Sequence, residues 1–143
     1  MKTNIKNSIL ILNFEGNKQQ MNNVLDPISN LYEGVINNRE GHNFPVDIIP
    51  KGHILEKFKS KCKYVIGIYN NKSIKHELLH AEYYINEEYK KKVNKEWEEL
   101  KLKVREHIIG YLKKLGYPDH VIIDEYQAYR YTEAANFFGI KLI

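Results

Sequence analysis

The sequence predicts an α+β domain in which a small N-terminal β-sheet packs against three or four helices. Two observations carry that expectation. β-prone runs bounded by Gly, Pro and Asn lie in the first half, at residues 9–14, 46–49 and 63–69. In the second half, apolar residues recur at three- and four-residue spacing over long stretches without Gly or Pro. A length of 143 residues suits one domain, residues 1–143, with a core of its own.

Residues 9–14 make a short strand that Gly16 and Asn17 end. From 18 to 36, Met21, Val24, Leu25, Ile28, Leu31, Tyr32 and Val35 follow helical spacing, and Pro27 implies a kink or a late helix start. Gly41, Pro45 and Pro50 then mark a loop over 37–52 that carries a short edge strand at 46–49, with His42 and, just beyond, His53 expected in solvent. Residues 63–69 form a clearer strand. Tyr64, Ile66 and Ile68 fall on one face and Val65, Gly67 and Tyr69 on the other, so both faces should be covered.

Asn70, Asn71 and Ser73 offer helix caps, and no Gly or Pro follows until Gly110. One helix over 73–115 would be about 64 Å long, against about 35–40 Å for the width of such a domain. A break is therefore required, and Asn94 is where it is expected. Around and beyond it Val93, Trp97, Leu100, Val104, Ile108, Tyr111 and Leu115 form an amphipathic stripe, with Trp97 as a core anchor and His107 at the edge. Gly116, Tyr117 and Pro118 turn the chain. The last helix should start between Asp119 and Asp124 and end at Phe138 and Gly139.

Composition removes several function classes. Hydrophobic residues at 43% and charged residues at 28% exclude a disordered tail. No apolar run approaches the roughly 18–20 residues of a membrane span, and none has the form of a signal peptide, so a cytoplasmic protein with no membrane partner is expected. Cys62 stands alone and supplies neither a disulfide nor a cysteine zinc site. The charge of +4 comes largely from lysines between 87 and 114, where pairs such as Glu88 with Lys92 and Glu99 with Lys103 indicate a solvated helix face rather than a nucleic-acid surface.

The chemistry is concentrated in His76-Glu77-Leu78-Leu79-His80. Histidines at i and i+4 lie one turn apart on one helix face, so both imidazoles can reach a single zinc ion, with the intervening glutamate beside it. Ile74, Leu78, Leu79, Ala81 and Ile85 give this helix an apolar face, which places the motif in a packed environment.

The segment resembles the HExxH motif of the zincin metallopeptidases. The resemblance implies His76 and His80 as ligands of Zn2+, Glu77 as the general base, and a third ligand further along. A metzincin needs Gly and His three and six residues after the second histidine; Tyr83 and Asn86 stand there and exclude that branch. Asp124-Glu125-Tyr126-Gln127-Ala128 resembles the Glu-x-x-Ala pattern of compact gluzincins, which implies Glu125 as the third ligand and a minimal, thermolysin-like catalytic core. Glu133, Asp124, His120 and His107 are its rivals.

Two departures qualify the likeness. Forty-four residues lie between His80 and Glu125, and Tyr129 stands where thermolysin-like proteins carry an aspartate that orients a zinc histidine. Tyr129 and His120 are candidates to support the ligands or to donate to a developing oxyanion. The implied activity is zinc-dependent hydrolysis of a peptide or protein substrate, in which Glu77 moves a proton from water to the leaving amine. Two other classes stand beside it: a catalytically silent zincin-fold module that binds a protein, and a basic helical nucleic-acid accessory protein using the lysines from Lys90 to Lys92.

Overall fold

A computed structural model describes residues 1–142 as four strands and five α-helices. In chain order they are β1 (Lys2–Lys6), β2 (Ile9–Asn13), α1 (Lys18–Glu33), β3 (His42–Pro45), β4 (Tyr64–Ile68), α2 (Ile74–Ile85), α3 (Glu87–Glu99), α4 (Leu102–Lys114) and α5 (Ile122–Thr132). The sheet order is β1-β2-β4-β3, with β2 and β4 parallel and the two outer pairs antiparallel. Parallel neighbours need a crossover, and α1 lies in the connection between β2 and β4. The expected α+β class, with a sheet in the N-terminal half, is what the chain adopts.

Strand β4 is covered on both faces, as its sequence requires. Val65 packs with Leu10 and Leu12 of β2 and with Met21, Leu25 and Ile28 of α1, while Tyr64 and Ile66 face Leu78, Ala81 and Ile85 of α2. Gly67 marks the closest approach of α1: a Cβ there would collide with Leu25 Cδ1. A further core forms from Trp97 of α3, Ile108 and Leu112 of α4, Ile122 and Tyr126 of α5, and Phe138. Trp97 is thus the anchor that its stripe predicted.

Several boundaries differ from expectation. Strand β1 has no signature in the sequence, because all five of its residues are exposed and it carries no buried face to read. Residues 46–49 do not form the edge strand: Val46–Ile48 is a 3₁₀ turn closed by Ile49 N–H to Val46 O at 3.1 Å. The edge strand lies just before it, in β3. Helix α1 starts at Lys18 and carries Pro27 within it. The long helical tract breaks at Asn86, whose side chain accepts from Tyr89 N–H at 3.1 Å, with Glu87 and Glu88 in the first turn of α3. Asn94 lies inside α3 and accepts from the Tyr83 hydroxyl. A second break at Leu100 and Lys101 divides the Trp97 stripe between α3 and α4. Helix α5 ends at Thr132, and the chain then turns so that Phe138 enters the core instead of extending the helix.

His42 and His53 are also not solvated. His53 is half-buried, donating from Nε2 to Val24 O and accepting from Leu55 N–H at Nδ1. His42 is fully buried on β3, with Nδ1 at 2.7 Å from Ser29 Oγ and Nε2 at 2.7 Å from Asn22 Oδ1. Burial, with the Arg39 charge beside it, pushes its pKa down to about 3 from 6.5. The unfolded chain then binds a proton that the folded chain refuses, so stability falls as pH drops through the window from 6.5 to 3. The slope contributed by this residue should reach about 1.4 kcal/mol per pH unit, measurable by urea unfolding at pH 7, 5 and 4. A His42→Gln variant with the same slope as the wild type would remove His42 as its source.

Among the described residues no helix is long and apolar enough to cross a membrane.

Candidate metal centre

Helix α2 lies between β4 and α5 and has contacts with both. Its apolar residues settle on the sheet, which leaves His76, Glu77 and His80 turned toward α5 and a cavity beside it. The intervening α3 and α4 return the chain, and Glu125 arrives opposite the two histidines. Ligand atoms of His76, His80 and Glu125 all lie within 4.8 Å of one another.

The spacings are close to those around one tetrahedral ion, with each histidine nearest a different oxygen of Glu125. His76 Nε2 and His80 Nε2 are 3.2 Å apart, His80 Nε2 is 3.3 Å from Glu125 Oε2, and His76 Nε2 is 3.6 Å from Glu125 Oε1. Ligand atoms on a tetrahedral zinc at about 2.0–2.2 Å would stand about 3.3–3.6 Å apart. Glu125 is 2% exposed, yet its Oε1 has no hydrogen-bond partner, a costly state for a carboxylate unless a cation takes it up.

Hydrogen bonds at the far side of each ring set the tautomers. Asp124 Oδ1 accepts from His80 Nδ1–H at 2.8 Å. The Thr132 hydroxyl gives its own proton to Ala128 O at 2.6 Å, so its oxygen is left to accept from His76 Nδ1–H at 3.3 Å. Both Nε2 atoms are therefore the ones available to a metal. Asp124 is itself held by Gln127, which donates to it at 3.0 Å and to Leu79 O at 3.1 Å, and accepts from the Tyr89 hydroxyl.

The cluster demands positive charge. Burial alone would favour a neutral His80, but the Asp124 and Glu125 carboxylates override it and raise the pKa of the imidazole well above its usual value. Burial opposes charge on Glu125 too, and His80 and His76 outweigh it, holding that carboxyl at about 2. A proton meets this demand in the metal-free chain, and a divalent cation would compete for the same place. Glu77 differs: burial raises its pKa despite the nearby histidines, and its Oε2 is buried with no hydrogen-bond partner.

These groups share the wall of a cavity of about 520 Å³, closed on other sides by residues 36–41, Tyr117 and Tyr129. The Tyr129 ring sits edge-on to His76 at 4.5 Å, and its hydroxyl is 3.0 Å from that of Tyr117. Such a pair shares one proton and leaves the other phenol proton free.

The rival ligands are elsewhere. Asp124 accepts from His80 Nδ1–H, which holds that ring, and is not in the triad. Glu133 is exposed at the end of α5, on the cavity rim. His107 Nε2 donates to Phe138 O at 2.6 Å, and His120, exposed, donates to Tyr32 O at 2.7 Å and does not line the cavity. Sequence reasoning missed Tyr117, Gln127 and Thr132. Thr132 had a signal: Glu125, Tyr129 and Thr132 fall at i, i+4 and i+7, one stripe of α5.

Comparison with protein-family models, with curated proteins and with solved structures returns no match for this chain.

Because Asp124 fixes the His80 ring, Asp124→Asn should weaken zinc binding by about 10–100-fold, measured by competition with a chromophoric chelator. Affinity equal to that of the wild type would remove its orienting role.

Proposed function

We propose that this chain is a zinc-dependent metallopeptidase with a compact, gluzincin-like zincin core. The observation that supports the reading is the convergence of His76, His80 and Glu125 beside a buried glutamate on one cavity wall. Two neutral imidazoles and one carboxylate are the donor set of a catalytic rather than a structural zinc site, since they leave a coordination position open. Zinc bound there would supply Lewis acidity, acidifying a water and polarising a peptide carbonyl.

The protein's own groups do the rest. Glu77 takes the water's proton, a task suited to a carboxylate whose pKa burial has raised and whose Oε2 has no other partner. It later delivers that proton to the leaving amine. The free phenol proton of the Tyr117–Tyr129 pair, on a wall of the same cavity, would be available to the oxygen on which negative charge develops. The substrate is a peptide or an extended protein segment.

The test is to mix zinc-loaded protein with a proteome-derived peptide pool and identify new termini by mass spectrometry. Cleavage should cease with 1,10-phenanthroline and return with added zinc. No new termini at any metal loading, with zinc bound, would leave a silent binding module and overturn the hydrolase reading.

A further inference from the structure

We infer that Gly41 is a positioning residue for Glu77: its missing side chain leaves the space that the Glu77 carboxylate fills, and so sets where that carboxylate lies in the cavity wall. The catalytic meaning of this rests on the hydrolase reading above, whereas the contact rests on packing alone. A Cβ at position 41 would lie 2.8 Å from Glu77 Oε1, 3.1 Å from its Cδ and 3.1 Å from Ser73 Oγ. The first distance is shorter than non-bonded atoms tolerate. The Ser73 hydroxyl, half-exposed, can rotate away; Glu77 is 5% exposed and sits between two histidines that themselves face Glu125.

Backbone conformation does not account for glycine here. Positive φ angles occur at five other glycines, and Gly41 is not among them. Space is the remaining reason.

Nor can the segment back away, because it is tied on both sides of Gly41. Arg39, 5% exposed, donates to Asp26 at 2.8 Å, Asn30 at 2.9 Å, Gly34 O at 2.7 Å and Glu33 at 3.3 Å. His42 is bonded at both ring nitrogens, and Asn43 accepts from the Tyr64 hydroxyl. An added methyl group therefore moves the carboxylate and not the strand.

The experiment compares Gly41→Ala, Glu77→Ala and the double variant with the wild type in zinc content, Tm and turnover. Gly41→Ala should keep one zinc per chain, lose several degrees of Tm, and lower kcat by up to about 10²-fold with KM nearly unchanged, the signature of a misplaced proton carrier. In the Glu77→Ala background the space is empty, and adding the Gly41→Ala substitution should leave Tm unchanged. An equal Tm loss in both backgrounds, or full kcat in Gly41→Ala, overturns the proposal. Should Gly41→Ala fail to fold, a double variant as stable as Glu77→Ala upholds the contact, and a double variant that also fails refutes it. If the wild type cleaves nothing, the hydrolase reading falls while the Tm comparison still decides whether Gly41 makes room for Glu77.

Discussion

Glu77→Gln is expected to abolish peptide cleavage, by about 10²-fold or more, while leaving one zinc per chain and an unchanged Tm. The substitution keeps the shape of the side chain and removes the base. It costs the fold little, because Oε2 has no hydrogen-bond partner to lose and burial already disfavours the charged form. Such a separation of activity from metal content and stability is what distinguishes a proton carrier from a structural glutamate. Comparable rates of cleavage in the two proteins would take Glu77 out of the mechanism.

The second large effect concerns the histidines, and it differs between them. His76→Ala and His80→Ala should each lose stoichiometric zinc after dialysis. Only His80→Ala should also destabilise the metal-free protein strongly. The His80 ring is fully buried and meets Asp124 at 2.8 Å and Glu125 at 3.3 Å, so its removal strands two buried carboxylates. Breaking a buried pair in this way costs about 3–5 kcal/mol. The His76 ring keeps some exposure, and its ion pair with Glu125 is longer, at 3.6 Å. Thermal unfolding in the presence of a chelator measures the difference. Equal Tm values for the two metal-free variants would contradict the electrostatic account of the cluster.

Periodicity made the frame legible. Strands β2 and β4 and helix α1 bury apolar residues at regular spacing, and their positions follow from it. Elements stabilised in other ways were hidden. Strand β1, Lys-Thr-Asn-Ile-Lys, is polar because nothing covers it, and β3 buries His42 and Asn43 through hydrogen bonds rather than through apolar contact. The break at Asn86 was written locally, as an N-cap followed by two glutamates, and was masked by the continuing apolar stripe.

At the site, His76, Glu77 and His80 were legible because one helical turn fixes their relation. Glu125 came from a resemblance in pattern, and the structure brings it to the same point from across forty-four residues. The part played by Asp124 was not readable. Adjacent helical residues point about 100° apart, so whether Asp124 and Glu125 reach two different nitrogens of one imidazole depends on how α5 crosses α2, which is a tertiary relation. Gly41 is the same case: its meaning lies in a contact with a helix that begins more than thirty residues later.

The proposed function stands on His76, His80 and Glu125 holding one zinc ion. The most direct measurement is diffraction from crystals of the purified protein on both sides of the zinc absorption edge. A single anomalous peak per chain is expected, about 2.0–2.2 Å from His76 Nε2, His80 Nε2 and a Glu125 carboxylate oxygen. A peak held by other residues, or no peak in crystals grown with stoichiometric zinc, would contradict it.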